Sequence, residues 1–441
     1  MQSNQHSNNS SNRFHKPDED HAKYIETILH RARNGIPTNN TQVLLPSITE
    51  DDLNILREYL AEIQATHNVT MKRVYKYSYI LVHWREFIGE YRLNTIGELF
   101  AGINKIQIAR DAEGKTRYAK NTLIDYIGFL KRFYLWLIDN NYSTIEEKKI
   151  NKIKVPTAPQ MTKTAEMLVS PQEVLNMIVA CRNSRDRAFI SVLYEGGFRI
   201  GELGSLRWNQ VKFNDWNVAI NVDNKTGKPR YIPLVMSRSY LAAWKNDYPI
   251  PITDDGYVFL TVGRQQQLQY RGVTKQFDKI VQRAGIQKKV TPHLLRHSRI
   301  THLINDGVKE SMIKMMMWGS VDSKMFKSYA HLTANDIDDE MASHAGIILP
   351  DKHAQSACLE PRQCPGCYTI NAPTQCFCGN CGTELTETAK NEMQSAKKQL
   401  NALAATPQGI ADAIIYLQHM QKEKSMQGIN CLLYTSPSPR D

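Results

Sequence analysis

Apolar positions recur every three or four residues along most of this chain, a period that predicts helices, and alternate in one patch only. In "PSITEDDLNILREYL", Ser47 and Glu50 have capping-box spacing, and Leu53, Leu56 and Leu60 follow at helical intervals. "VYKYSYILVHWREFIGEY" is a second amphipathic stretch, and "NTLIDYIGFLKRFYLWLIDNNY" a third, with Leu123, Ile127, Leu130, Tyr134 and Leu137 on one stripe. Residues 46–143 therefore read as a small all-helical domain. Residues 1–45, rich in Asn, Ser, His and Gln with weak helical potential between 20 and 34, read as a disordered N-terminal arm. Residues 144–168 are basic, contain two prolines and lack an apolar period, as a linker would.

A second domain, 169–346, opens at "LVSPQEVLNMIVACR", where Ser170 is the expected N-cap, Pro171 the first helical residue and Glu173 the capping partner. "DRAFISVLYEGG" predicts a helix. "WNVAINVDNKTGKPRYIPLV" predicts two strands joined by an Asn-Lys-Thr-Gly-Lys turn, and mostly helical segments follow. The run "MIKMMMWGS" reads as buried helix core, because methionine fills irregular gaps and no His or Cys ligand accompanies it. A cysteine-rich module (358–385) and a polar helical tail (386–430) complete the chain, and no internal repeat is evident. The fold class is mainly α with a small β-sheet or hairpin.

Composition adds a partner. Lys plus Arg number 55 against 44 Asp plus Glu over 441 residues, and the pI of about 9.1 favours a polyanion, nucleic acid first. Lys72, Arg73, Lys76, Arg85, Lys120, Lys131 and Arg132 are interleaved with aromatics in the first domain, as a DNA-gripping surface requires, although solvated faces of core helices read the same way. No apolar run reaches the roughly 20 residues of a membrane span, and the first residues lack a signal-peptide core. A soluble, cytoplasmic, nucleoid-associated protein is expected.

Four pieces of the second domain carry groups suited to a phosphate. "YEGGFRIGEL" places Arg199 just past two glycines, with Glu202 one helical turn on to orient it. "NKTGKPR" puts Lys225 at a hairpin tip, sharing it with Lys228 and Arg230. "TPHLLRHSRITHL" spaces His293 and Arg296 to project from one helix face, and "KSYAHL" supplies Tyr329. Two guanidiniums can fork onto the non-bridging oxygens of a phosphodiester, work otherwise done by a metal ion. The phenol then serves as nucleophile, with histidine and lysine to move its proton and that of the leaving oxygen.

In order and spacing these boxes resemble the tyrosine recombinase, or phage integrase, family: "GGFRIGEL", a hairpin lysine eight residues before Pro233, "HLLRH", and a tyrosine 33 residues beyond Arg296. The resemblance covers roughly residues 46–346. It implies a helical core-binding (SAM-like) domain followed by a mixed α/β catalytic domain. Arg199 and Arg296 would bind the phosphate, Lys225 would protonate the 5′ oxygen and His293 would be the general acid/base. Glu202 would support Arg199, and Tyr329 would form a 3′-phosphotyrosyl link. The implied activity is site-specific cutting and rejoining of double-stranded DNA, for integration or excision, by a homotetramer that needs neither ATP nor a catalytic metal. His297, His302 and His331 read as packing or backbone-bonding residues. Where the family has a histidine or tryptophan nine residues before the tyrosine, this chain has Ser320, with Trp318 two residues earlier, so either completes the phosphate cage. The rival readings are an inactive DNA-binding regulator of the same fold and a type IB topoisomerase that relaxes DNA.

Seven of the eight cysteines lie beyond residue 357, which points to a metal site in a reducing compartment. "CPGCYTINAPTQCFCGNCGTEL" pairs Cys364 with Cys367 and Cys378 with Cys381 as two knuckles, resembling a zinc ribbon with structural zinc. Cys358 and Cys376 are spares, although Cys376 can stand in for Cys378. Recombinase domain plus ribbon resembles integrases of archaeal mobile elements. The closing "CLLYTSPSPRD" (431–441) reads as a translated sequencing adapter, which would make Cys431 meaningless and leave the true C-terminus missing.

Overall fold

The structure is a computed structural model that describes residues 18–36, 46–157, 167–222 and 229–326 apart from 262 and 264, then 329, 341, 345, 347 and 357–404. It forms two compact units, Met1–Thr162 and Lys163–Asp441. Lys225, Lys228, His331 and the adapter-like tail lie outside the described residues.

The first unit contains helices α1 (Asp18–Asn34), α2 (Glu50–His67), α3 (Met71–Trp84), α4 (Ile96–Ile108), α5 (Lys120–Asp139) and α6 (Glu147–Asn151). Part of the expected disordered arm is thus a helix. Ile25, Ile28, Leu29 and Ala32 form a helical stripe that is buried as α1 packs on α3, a stripe masked in the sequence by polar neighbours. The start of the expected linker is also structured, since Ile145, Ile150 and Ile153 all join the first unit's core. The capping box of α2 is Thr49 with Asp52, each side chain bonded to the other's amide at 3.2 Å, two residues later than the Ser47–Glu50 pair expected. The buried Asp52 decides this register. It also accepts from Arg85 (2.8 Å) and from the Tyr91 amide (2.9 Å), contacts that tie α2 to the chain after α3.

The second unit opens with α7 (Pro171–Val179) at the expected cap, where Ser170 Oγ accepts from the Glu173 amide (3.2 Å) and Glu173 accepts from the Ser170 amide (2.8 Å). There follow α8 (Ser184–Glu195), α9 (Ile200–Gly204) and an antiparallel three-stranded sheet in the order β1 (Val211–Phe213), β2 (Val218–Val222), β3 (Arg230–Leu234). Ile220 pairs with Ile232 and Val222 with Arg230, so the predicted hairpin is present and β1 extends it. Glu195, buried at the end of α8, accepts from the amides of Val235 (2.8 Å), Met236 (3.0 Å) and Ser237 (2.8 Å) and so anchors the start of α10 (Ser237–Asn246). Helices α11 (Tyr270–Arg283), α12 (Pro292–Asn305) and α13 (Glu310–Trp318) complete this body. Only one face of the methionine run is core: Ile313 and Met317 are buried, whereas Met312 and Met315 are exposed, because a nine-residue helix can bury one stripe. Strands β4 (Arg362–Gln363) and β5 (Ile370–Asn371) carry the cysteine module, and α14 (Glu387–Ala404) follows. Among the described residues, no helix is long and apolar enough to cross a membrane.

Candidate active site

Helix α8 ends in the turn Gly196–Gly197. Gly197 has φ +53, and a Cβ there would lie 2.7 Å from the Met317 sulfur, so glycine suits both the backbone and the space. Its carbonyl accepts from Arg296. The chain then places Arg199 at the N-cap of α9, with Glu202 accepting from the Arg199 amide (2.8 Å) and from its guanidinium (2.7 Å). Glu202 therefore orients Arg199, as its spacing predicts, and leaves that side chain 47% exposed and able to meet a ligand.

Spacing predicts one partner for Glu202, Arg199; in the structure it has two. Arg230, with a fully buried side chain, reaches it from β3 at 2.5 Å. The same guanidinium donates to the carbonyls of Met316 (3.1 Å) and Met317 (3.0 Å), and Arg296 Nη2 donates to Met317 as well (2.5 Å). These carbonyls end α13, where helical acceptors lack internal partners. Gly319, at φ +70, then turns the chain out of the helix. A signal for Arg230 existed, because the period of two puts it on the inward face of β3 with Ile232 and Leu234.

Electrostatics follow from this crowding. Burial raises the Glu202 carboxyl, but Arg230 and then Arg199 outweigh it and hold it below its usual range. Burial lowers Arg296, and Arg199 and Arg230 lower it further. Arginine keeps its charge at neutral pH, so this is a positive charge that an incoming anion would relieve.

Arg296 is 3% exposed on α12, with its guanidinium carbon 5.9 Å from the centre of the Trp318 ring. Trp318 in turn lies 6.2 Å from the Tyr329 ring. Trp318 thus contacts both residues, whereas the bond seen for Ser320 is one its carbonyl accepts from the Ser323 amide (3.3 Å). Tyr329 is buried, and burial pushes its phenol up to about 12 against the pull of Arg296. Its hydroxyl is hydrogen-bonded to His297 Nδ1. His293, the expected acid/base, is exposed one turn away, its ring 4.4 Å from that of His297. His297 is therefore no mere packing residue. His302, expected to pack or to bond backbone, packs its ring against Tyr194 (5.9 Å) and meets that residue's hydroxyl through Nδ1 (2.8 Å).

Of the basic residues expected to face DNA, Lys72, Lys120 and Arg132 are exposed. Arg132 and the others have partners inside the first unit. Arg73 lies over Phe129 (4.6 Å), Lys76 pairs with Asp125 (2.5 Å), Lys131 donates to the carbonyls of Asn151 (2.9 Å) and Ile153 (3.1 Å), and Arg132 donates to the Tyr77 hydroxyl (2.8 Å). Arg85 is committed to Asp52.

In the cysteine module, the sulfurs of Cys364, Cys367, Cys378 and Cys381 all lie within 4.8 Å of one another. Cys376, the possible substitute for Cys378, is not in this group. Separations of 3.5 Å (Cys364 to Cys381 and Cys367 to Cys378) are far beyond a disulfide and close to the spacing of four thiolates around one tetrahedral ion. Asn371 supports the cluster, donating to the Cys378 sulfur (3.7 Å) and accepting from the Gly379 amide (3.0 Å). The four sulfurs fit a structural metal.

Residues 168–336 match the model of the phage integrase family. Transposase A from transposon Tn554 of Staphylococcus aureus is 29% identical over 181 residues, 38% of this chain and 50% of its own. Tyrosine recombinase XerC of Pelotomaculum thermopropionicum is 33% identical over 159 residues, 34% of this chain and 50% of its own. Tyrosine recombinase XerD of Staphylococcus haemolyticus is 25% identical over 296 residues, covering 64% of this chain and 95% of its own. The chain spans half the length of the first two relatives.

Proposed function

We propose that this chain, whose residues 168–336 fall within the phage integrase family, is a site-specific recombinase that breaks and rejoins double-stranded DNA through a phosphotyrosine intermediate. The observation that carries this reading is the convergence of Arg199, Glu202, Arg296, Trp318 and Tyr329 from four separate segments. Arg199 and Arg296 bind the scissile phosphate, Glu202 holds Arg199, and Tyr329 attacks. Lys225 protonates the 5′ oxygen, and His293 serves as an acid/base on the phosphate side. Trp318 takes the place in the cage that Ser320 would otherwise fill, a reading supported by its contacts with Arg296 and Tyr329. Lys72, Lys120 and Arg132 are the first-unit residues best placed to meet DNA, because they are exposed.

The four-cysteine cluster holds one structural zinc ion. A ribbon behind such a domain supports an archaeal-type integrase of a mobile element, acting in the cytoplasm as a homotetramer on DNA. The test of the chemistry is a nicked suicide duplex drawn from DNA flanking the gene. The native chain traps as a covalent adduct and Tyr329→Phe does not; no adduct with the native chain, or an adduct with the variant, ends the proposal. A plasmid-relaxation assay with and without that site separates recombinase from topoisomerase.

A further inference from the structure

Helix α12 presents two histidines, one turn apart, toward the same region, and only one of them is bonded to the tyrosine hydroxyl. We infer that His297 is a catalytic residue, the acceptor of the Tyr329 proton during strand cleavage. The inference rests on the recombinase reading above and assigns within it a task that His293 was expected to perform.

Three observations carry it. The Tyr329 hydroxyl and His297 Nδ1 are in hydrogen-bond contact, the geometry a base needs before the attacking oxygen forms its bond. The tyrosine is largely enclosed: Tyr329 is 6% exposed, so bulk water has little access to it and a protein group is placed to take the proton. The order of α12 also divides the labour. Arg296 and His297 are adjacent, so the guanidinium that steadies phosphate and the imidazole that takes the proton move as one element. His293 packs edge-on against His297 at 4.4 Å and is exposed, so it is accessible to a phosphate or leaving group. The raised phenol pKa strengthens the need for a base near neutral pH.

The phenolic proton passes from Tyr329 Oη to neutral His297 Nδ1, whose Nε2 carries the ring proton. The freed oxygen pair forms the bond to phosphorus, the bond from phosphorus to the 5′ oxygen breaks with its pair on that oxygen, and the oxygen takes a proton from the donor on the other side of the phosphate. In rejoining, the 5′ hydroxyl gives its proton back to that donor and attacks phosphorus, the bond from phosphorus to Tyr329 Oη breaks with its pair on Oη, and His297 returns its proton to that oxygen.

The experiment uses the full chain on the nicked duplex of the previous section, made with either oxygen or sulfur at the 5′ bridging position. A thiolate leaves without a proton, so sulfur erases a loss on the leaving-group side and keeps one on the tyrosine side. His297→Ala is expected to slow adduct formation on the order of 10²-fold with both duplexes while DNA binding by gel shift stays unchanged. His297→Asn, which keeps a hydrogen-bonding side chain but no base, is expected to be similarly slow, whereas a purely positioning role would let it rescue. A native rate in either variant, or recovery of His297→Ala on the sulfur duplex, overturns the assignment. The contact is read without DNA: in ¹⁵N-imidazole NMR the His297 Nδ1 resonance should shift in Tyr329→Phe, and an unmoved resonance refutes the contact. Failure of the native chain to form any adduct instead overturns the recombinase reading, and this assignment with it.

Discussion

At the scale of single residues, burial does most to change chemistry. His302 is an example outside the phosphate cluster. Burial and then Arg299 hold its pKa down to about 4, against the opposing charge of Asp306. The folded value lies below the unfolded one, so the fold favours the neutral ring. Stability is complete above about pH 6.5 and declines as pH falls toward 4, by about 3 kcal/mol from this group at 1.36 kcal/mol per unit. Urea denaturation from pH 7 to 4.5 should therefore fall more steeply for the native chain than for His302→Gln. Parallel curves would rule this out.

At the scale of elements, the end of α13 is held by side chains from elsewhere in the second unit. Arg230 from β3 and Arg296 from α12 both donate to Met317, and Glu202 from α9 neutralises Arg230. Arg230→Met leaves Glu202 with Arg199 as its one cation, Met317 with Arg296 as its one side-chain donor and the Met316 carbonyl without its side-chain donor, and should cost about 3 kcal/mol in urea unfolding. Arg230→Lys should recover little, since a single ammonium cannot span a carboxylate and two carbonyls. If the lysine variant is as stable as the native chain, the fork geometry is not what matters. At the start of α7, Ser170→Ala should cost about 1 kcal/mol, because its side chain accepts from the Glu173 amide. That cap was legible from four adjacent residues. The cap of α2 was misread because Asp52 answers to Arg85 and Tyr91, more than thirty residues away.

At the scale of the molecule, the cysteine module belongs to the second unit. It docks on α10, where Ser239 donates to the Ile370 carbonyl (3.1 Å) and the Tyr240 hydroxyl meets Thr374 (2.7 Å). So small a module has little core of its own, and its metal is expected to supply the folding energy. Elemental analysis of the purified chain should give one zinc per chain, lost in the double variant Cys364→Ser, Cys381→Ser. A chelator should lower the melting temperature of the native chain and leave that variant's unchanged. A native chain without bound metal would remove the ribbon's proposed cofactor.

Much was therefore present in the sequence. Ser170, Pro171 and Glu173 determined a helix start, the alternation around residues 218–234 determined a hairpin, and the two Cys-x-x-Cys pairs determined which four sulfurs converge. These features depend on neighbours within a few residues, or on a knuckle geometry repeated twice. What only the tertiary structure decided involves partners distant in sequence. Arg230 joins Glu202 across 28 positions, His297 rather than His293 receives the Tyr329 hydroxyl across 32, and Trp318 comes to lie near both Arg296 and Tyr329. Spacing can place two histidines on one helix face. Which of them meets a buried phenol depends on how a later segment packs against that face, and no local pattern carries that information.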